Sequence, residues 1–493
     1  MAPKRKAAAK AAEEPPAKEK KAEKAAGKAA PAKKAEAAPK AAEPEAEAPK
    51  AAPAEAPAEE TKAEAPAAEA EVPEFKEETD DKETRPAMKD TVCFMPHETT
   101  LNVVPTMGGR CLAALSDGGM QFLVAGARAN VGIASGRFFY EVKVVEALTP
   151  TEGRNSGKAR VPAPRQLVRI GFSLARTSLV LGDGGDGCVC FDSEGSFYAD
   201  KKRTQAATRF GRDQVIGVLL NVDPKSPHAN TVSLFSRGER MSKPMPLPEA
   251  LKGQPLYPHV AFRNVTLQVN LGPAPLVPLP FKCRMVQEAP AADVKVSKEG
   301  IPKDGKYEVM LPVAFPDEGT FEWLDEFLEK HPSHVELSDR KIQEWAVKSG
   351  VWKPRNSWKT SNDKPEYNFG LQFMDDFSVQ RCLNAVTSVI PRNYIVMEVK
   401  QNLTQEERKA SLDRFKGPSF KKVAQVVMGE PPADFKAKVH KALLEEKQAK
   451  EETAWKMRKL EKERKKAVLQ RQKELAEQKA AAAAKKKEAE EAK

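Results

Sequence analysis

Residues 136–145 read GRFFYEVKVV, and residues 214–222 read QVIGVLLNV. In the first stretch, aromatic and β-branched residues are interspersed with charged ones, which predicts a strand. The second stretch is apolar nearly throughout, which predicts a central strand. Similar short runs lie at residues 166–173, 231–236 and 265–271, separated by Gly, Asp and Pro. Short strands between turn signals predict an antiparallel β-sandwich.

Polar segments interrupt this β-rich region at residues 150–165 and 201–212, and we predict that both are surface loops. Arg169 lies in the middle of a predicted strand, beside Ile170 and Gly171. One interpretation is a structural arginine that is hydrogen-bonded beneath the loops. The other is a contact to a ligand.

The order of the pieces resembles a SPRY domain. The matching stretches are VAGARANVGIASGRFFYEVKV, VRIGFS, DQVIGVLLNVD, VSLFSRGERM and PLYPHVAFRNVTLQVNLG, all within residues 87–286. They are most similar to the SPRY domain of the heterogeneous nuclear ribonucleoprotein U family. The resemblance implies a bent sandwich that binds protein or peptide partners through loops at one end and has no catalytic activity. One departure is Cys188-Val189-Cys190-Phe191, where SPRY domains usually place a Tyr-Gly pair.

The chain has 493 residues, and residues 1–86 are almost entirely Ala, Lys, Glu and Pro. Such a segment cannot bury enough apolar surface to offset its ordering entropy, so we predict a disordered tail. Residues 1–40 carry a net charge of +7 and residues 41–80 a net charge of −10. The basic end suits a polyanion, and the acidic stretch could compete for it. Lys4-Arg5-Lys6 is a candidate nuclear-import cluster.

Residues 431–493 form a second charged region, which is rich in strong helix formers and has no Gly or Pro after residue 432. Residues 441–493 hold 17 basic and 11 acidic side chains. The apolar residues keep no steady heptad, which favours a long solvated helix over a coiled coil. Arg464, Lys465 and Lys466 are candidate contacts to nucleic acid.

A strand, a turn and a helix follow one another at residues 307–330. YEVMLPVAF (residues 307–315) reads as a strand and TFEWLDEFLEK (residues 320–330) as a helix. In the ribonucleoprotein U family the SPRY domain is followed by a P-loop module similar to polynucleotide kinases. Residues 307–430 resemble a degenerate copy, joined through a linker at residues 287–306. The family's glycines are replaced by Ala314 and Asp317, its lysine by Thr320 and its metal-holding Thr by Phe321, whereas Gly319 is kept.

Those replacements remove the chemistry of a nucleotide site. A P-loop lysine compensates phosphate charge and the hydroxyl anchors the metal ion. Thr320 and Phe321 can do neither, and carboxylates at Asp317 and Glu318 would repel a polyphosphate. We therefore predict no enzyme activity, no cofactor and no metal. The alternatives are an ordinary strand–helix connection and a nucleotide-binding kinase-like protein.

The strongest local nucleic-acid signal is residues 352–359, WKPRNSWK. Aromatic rings can stack on unpaired bases while cations neutralise phosphates. The alternative is that the tryptophans are core anchors and the cations reach solvent. The candidate contacts are Trp352, Lys353, Arg355, Trp358 and Lys359.

Six dispersed cysteines predict neither a disulfide framework nor a zinc site, and no apolar run is long enough to cross a bilayer. These features indicate a reducing, intracellular setting. Taken together, the sequence predicts a non-catalytic nuclear scaffold that associates with RNA or another polyanion. The alternative is a protein-interaction adaptor whose charged ends do not bind RNA.

Overall fold

The structure is a computed structural model. It describes residues 77–81, 83–116, 118–149, 165–297, 302, 304–313, 320–351, 374, 377–398, 404–423 and 432–491. All of these residues belong to one compact unit, Phe75–Lys493. The predicted loop at residues 150–165 lies outside them, except for Arg165.

The β-rich region forms strands β1 to β18, whose alternating side chains face either a common core or the outside. Their bounds are β1 Phe94–Thr99, β2 Val103–Thr106, β3 Cys111–Ala114, β4 Ala125–Ala129, β5 Val131–Ile133, β6 Gly136–Ala147, β7 Leu167–Ser173, β8 Cys188–Asp192, β9 Ser196–Ala199, β10 Lys202–Gln205, β11 Val215–Val222, β12 Thr231–Ser236, β13 Glu239–Arg240, β14 Met245–Pro246, β15 Tyr257–Arg263, β16 Val265–Asn270, β17 Arg284–Met285 and β18 Val294–Val296.

Two sheets make the predicted sandwich. The seven-stranded sheet has the order β1-β4-β15-β7-β8-β9-β10, and the nine-stranded sheet has β13-β12-β11-β6-β16-β3-β2, with β14 on β12 and β17 on β6. Every pairing in these sheets is antiparallel except that of β17 with β6. Strand β11 pairs on both sides, which confirms its predicted central position. Phe172, Phe262, Tyr140 and Val218 meet in the core between the sheets.

The sandwich is longer than the sequence indicated. Residues 77–81 and 83–86, assigned to the tail, contact it, because Asp80 N donates to Lys282 O at 2.9 Å and Ala87 bridges to Pro290. At the C-terminal end of the sandwich, β18 lies within the predicted linker and pairs with β5. The predicted loop at 201–212 contains β10, an exposed strand at the sheet edge. The sequence did not predict this strand, because an edge strand without a buried face has no alternation of apolar and polar residues.

The rest of the described chain alternates strands with helices. The elements are β19 Tyr307–Met310, α1 Thr320–Lys330, β20 His334–Ser338, α2 Asp339–Lys348, α3 Val379–Val386, β21 Asn393–Met397, α4 Gln405–Asp413, β22 Phe420–Lys422 and α5 Ala433–Glu491. Strands β19 to β22 form a parallel sheet in the order β20-β21-β19-β22. Side-chain caps begin two of the helices: Ser338 Oγ accepts from Lys341 N, and Thr404 Oγ1 accepts from Glu407 N.

Helix α1 covers one face of the parallel sheet. Its bounds agree with those predicted, and Phe321 and Leu324 pack on Met310, Ile395 and Met397. Alternate residues of the same strands face the other way and pack on α2 and α3. We therefore assign α1 to one face and α2 with α3 to the opposite face, which is the usual arrangement of a βαβ sheet.

The sandwich and the α/β segment share a hydrophobic core. Leu123, Val180 and Leu181 of the sandwich belong to the same buried cluster as Trp345 and Leu383 of the helices.

Hydrogen bonds cross the same boundary. Trp345 Nε1 donates to Val124 O at 2.8 Å, and Val124 N donates to Ser349 Oγ at 3.0 Å. The buried Arg392 donates from Nη1 to Thr99 O at 2.9 Å. The two parts are thus packed against each other through buried side chains and hydrogen bonds.

Candidate binding surfaces

The carboxyl edge of the parallel sheet is where a ligand of an α/β fold is expected. Strands β19 and β21 are neighbours, and their outgoing connections run to opposite sides, toward β20 and β22 respectively. Such a switch point opens a crevice outside the strand ends. Ala314, Asp317 and Gly319 follow β19 but lie outside the described residues, and Thr320 is the first residue of α1.

Phe321 occupies the place at which the resemblance would put a metal-holding hydroxyl. Its side chain is buried, and Arg340 Cζ lies 4.9 Å from the centroid of its ring. Arg340 is already neutralised, because Nη2 lies 2.6 Å from Asp325 Oδ1 and Nε lies 2.6 Å from Glu336 Oε1. The edge therefore carries a buried ring beneath a paired cation, and this combination offers a phosphate neither a hydroxyl nor an uncompensated charge.

The outer face of the seven-stranded sheet is built around buried polar groups. Arg128 Nε donates to Ser173 Oγ at 2.8 Å, and that hydroxyl lies 2.8 Å from His259 Nδ1. His259 Nε2 lies 3.1 Å from the carbonyl oxygen of Leu179, which can only accept. Nε2 therefore carries a proton, and burial holds the pKa of His259 well below its usual range, which favours the neutral ring.

These groups fasten the loop of residues 174–187 to the sheet. Arg128 Nη2 donates to Thr177 O at 2.6 Å and to Ser178 O at 3.1 Å. Arg169 Nη1 donates to Leu181 O, and its guanidinium lies 5.0 Å from the centroid of the Tyr198 ring. The structural interpretation of Arg169 is thus confirmed. The loop in turn supplies Val180 and Leu181 to the core shared with the helices.

A cavity of about 240 Å³ opens beside that loop, at one end of the sandwich. It is lined by the Gly182–Gly185 turn and by residues 198–203. Lys201 Nζ pairs with Asp186 Oδ2 at 2.8 Å across its rim, and Arg203 Nη2 pairs with Asp192 Oδ2 at 3.2 Å. This recess, whose charged rim groups are paired, has room for one or two side chains of a ligand.

Helix α5 is the most basic described element. Arg464, Lys465 and Lys466 lie on it and are exposed, as predicted. Lys465 Nζ lies 2.8 Å from Glu461 Oε1, an i,i+4 pair with both side chains more than 60% exposed, at 76% and 64%. Such a pair contributes little to stability, so a stronger anion can displace the glutamate. Lys438 pairs with Glu329 at 2.9 Å and links the start of α5 to α1.

Two sets of predicted residues fall outside the described part of the chain. They are the nuclear-import candidates Lys4, Arg5 and Lys6, and the candidate nucleic-acid contacts Trp352, Lys353, Arg355, Trp358 and Lys359.

One set was missed from the sequence. Arg137, Arg240 and Arg284 of the nine-stranded sheet converge on the same acidic residues, although they are far apart in the chain. Only the strand order brings the three arginines together, so no local sequence motif could predict their cluster.

His331 and His334 lie beside Phe327 in a cluster of rings, with the two imidazole centroids 5.8 Å apart. Within the described residues no group of three or more His, Cys, Asp or Glu side chains is arranged to hold a metal ion. The helices that the structure describes include none that is both long and apolar enough to span a membrane.

No protein-family profile matches the chain. It is 26% identical over 219 residues to heterogeneous nuclear ribonucleoprotein U-like protein 2 of Mus musculus, a match covering 43% of this chain and 27% of the relative. The Homo sapiens protein of the same name is 25% identical over 214 residues, with the same coverage of 43% and 27%. The chain therefore matches about a quarter of the length of these relatives.

Two solved structures are similar as well. The crystal structure of the SPRY domain of human HERC1 is 17% identical and matches with a TM-score of 0.27, covering 36% of this chain and 96% of that one. A second human SPRY domain is 19% identical with a TM-score of 0.26, covering 36% and 99%. The match to the two relatives confirms the predicted resemblance to heterogeneous nuclear ribonucleoprotein U-like proteins.

Proposed function

We propose that this protein is a non-catalytic, nuclear, RNA-associated scaffold. In this account the SPRY sandwich binds protein partners and the basic ends bind nucleic acid. The observation that carries the proposal is the long exposed helix α5 with its excess of Lys and Arg, on a chain that resembles proteins named as ribonucleoproteins. Binding by such a helix is electrostatic, depends steeply on salt and has little sequence preference.

The α/β segment serves the scaffold as a rigid body and not as a nucleotide enzyme. The resemblance to a degenerate P-loop kinase-like module is supported by the parallel sheet, in which β19 is internal and leads into α1. The loss of catalysis is supported by Phe321 beneath the paired Arg340. Equilibrium binding of ATP with Mg²⁺ to the intact chain should show no saturation, and saturable micromolar binding would contradict this part.

The RNA part is tested by fluorescence anisotropy with a labelled single-stranded RNA over a series of salt concentrations. Replacing three cations of α5 in R464Q/K465Q/K466Q should reduce the slope of log K against log salt by up to about 2, at about 0.7 for each lost phosphate contact. The matched control R209Q/R212Q/K225Q removes three exposed cations from the sandwich and should leave the slope unchanged. No binding by the intact chain at moderate salt would overturn the proposal.

The second candidate function is a protein-interaction adaptor without RNA binding. It is favoured by the pairing of α5 lysines with glutamates one turn away, as in Glu446–Lys450, Glu452–Lys456 and Glu461–Lys465. Such pairs also occur on helices whose only role is to stay in solution. The anisotropy measurement separates the two functions, because an adaptor of this kind binds no RNA.

A further inference from the structure

Three guanidinium groups of the nine-stranded sheet surround one bound segment of the chain. Arg137 is at the start of β6, Arg240 in β13 and Arg284 in β17. Arg137 Cζ lies 5.2 Å from the centroid of Phe281, and Arg240 Cζ lies 4.9 Å from that of Phe235. A guanidinium that rests on an aromatic face is held in orientation while its N–H edge stays available to a carboxylate. We call these three residues the arginine groove.

The chain's own acidic segment, residues 77–81 and 83, lies in the arginine groove. Arg240 binds the Glu77 carboxylate with two N–H groups, Nε to Oε1 and Nη2 to Oε2, the latter at 2.8 Å. Arg137 Nη1 donates to Asp80 Oδ1 at 3.1 Å, and Arg284 pairs with Glu83. Arg137 also lies 3.6 Å from Glu77 and Arg284 lies 3.6 Å from Asp80, while Glu83 is bound in addition by Arg85 of its own segment at 2.9 Å. The three carboxylates recur at every third residue.

The main chain of the acidic segment is bound as well. Arg137 Nη1 donates to Glu78 O at 2.6 Å, and Asp80 N donates to Lys282 O at 2.9 Å. The side chains of Arg137 and Asp80 are only 5% and 10% exposed, so their pair is shielded from solvent. Charge-assisted hydrogen bonds that are shielded from solvent are stronger than those of exposed surface ion pairs.

We propose that the arginine groove is a recognition site for acidic peptides, and that the acidic segment is its resident ligand. The class of ligand is an extended peptide with carboxylates at every third residue. A nucleic acid fits less well, because Lys282 O calls for an N–H donor from a peptide backbone and the forks of Arg137 and Arg240 each meet a carboxylate. The site is independent of RNA binding by α5.

This arrangement makes the acidic segment a competitor that is attached to the site it occupies. A tethered ligand acts at an effective concentration of the order of millimolar, so an acidic partner gains access only when the segment leaves. The groove should then bind added peptide weakly in the unmodified chain and strongly once the segment is weakened.

The test uses the full chain with E77Q/D80N/E83Q, which preserves shape and removes the three anchoring charges. The probe is a labelled peptide of residues 75–86, FKEETDDKETRP, and the control peptide FKQQTNNKQTRP has amides in place of its carboxylates. We expect the substituted chain to bind the acidic probe at least tenfold more tightly than the unmodified chain, and neither chain to bind the amide peptide. Adding R137Q/R240Q should abolish binding, whereas the matched pair R209Q/R212Q should not.

Three results would overturn the proposal. The first is a folded E77Q/D80N/E83Q chain that does not bind the acidic probe. The second is an equal loss of binding from R209Q/R212Q and from R137Q/R240Q, which would indicate non-specific charge attraction. The third is displacement of the probe by a 12-residue oligouridylate, which would assign the groove to nucleic acid.

A second measurement keeps the proposal testable if the substituted chain does not fold. Hydrogen exchange of residues 77–86 is followed in the unmodified chain with millimolar unlabelled FKEETDDKETRP. Displacement of the acidic segment predicts faster exchange there and no change with the amide peptide. Unchanged exchange at saturating peptide would overturn the proposal, because the segment would then be a permanent part of the sandwich.

Discussion

Both outer faces of the sandwich are covered, but by different chemistry. The seven-stranded sheet is covered by the α/β segment through a dry core that contains Trp345. The nine-stranded sheet carries, beside an apolar cluster around Phe281, the acidic segment, which is anchored by ion pairs with Arg137, Arg240 and Arg284. Apolar burial is insensitive to salt and costly to break, whereas ion pairs near the surface are weakened by salt. The first cover should behave as part of the fold and the second as a reversible ligand.

The largest expected effect comes from the apolar cover. W345A removes a ring that is only 8% exposed and leaves Val124 O without its indole donor. We expect a loss of about 3–5 kcal/mol in the free energy of unfolding, measured with urea. The matched control is W455A, which removes a ring that is 57% exposed on α5 and should change stability by less than about 0.5 kcal/mol. If both variants behaved alike, the shared core would contribute nothing to stability.

An intermediate effect is expected on acidification. Burial, and secondarily the charge of Arg392, lowers the pKa of His97 to about 4, and burial holds that of His259 well below its usual range. In the unfolded chain both histidines bind a proton as the pH falls below about 6.5, whereas in the folded chain they stay neutral until a lower pH. The free energy of unfolding therefore falls as the pH drops from 6.5 toward 4. The slope is at most about 1.4 kcal/mol per pH unit for each histidine.

Urea unfolding of H97Q over the same range checks this, because the variant should show a shallower slope below pH 6.5 and an unchanged one above pH 7. An unaltered slope would mean that His97 has the same pKa in the folded and the unfolded chain, which would contradict the prediction. The acidic segment should be less sensitive in this window, because the hydrogen bond from Arg85 lowers the pKa of Glu83 to about 2. That carboxylate supports the folded state above pH 4.5 and loses this role only as the pH falls toward 2.

The smallest effect belongs to the ionic cover. E77Q removes one charge from the arginine groove and should raise hydrogen exchange in residues 77–86 about fivefold, as expected for a pair worth about 1 kcal/mol. D81N is the matched control, because Asp81 is an exposed acid of the same segment, and it should change nothing. Raising the salt concentration should speed exchange in the segment but not in α2. Equal responses in both places would erase the distinction between the two covers.

The sequence predicted what depends on local periodicity. The strands at residues 136–145 and 231–236 were found because their apolar residues alternate, and α1 because Phe321, Leu324 and Leu328 recur at helical spacing. The SPRY resemblance followed from the order of these strands.

What the sequence did not predict depends on contacts between distant segments. Val180 and Leu181 lie in a loop, so nothing in their spacing shows that they join a core with Trp345. The acidic segment was assigned to a tail by composition alone, because its partners Arg137, Arg240 and Arg284 follow it by 50 residues or more. Charge complementarity of that kind appears only once the sheet order is known.

The central claim, that the basic helix contacts RNA while the sandwich does not, is tested most directly by ultraviolet crosslinking in cells. RNA-linked peptides of the full chain are identified and assigned to residue ranges. We expect RNA-linked peptides from residues 433–491 and from around residues 352–359, with few from the sandwich. Crosslinks concentrated in the sandwich, or no RNA crosslinks at all, would contradict it.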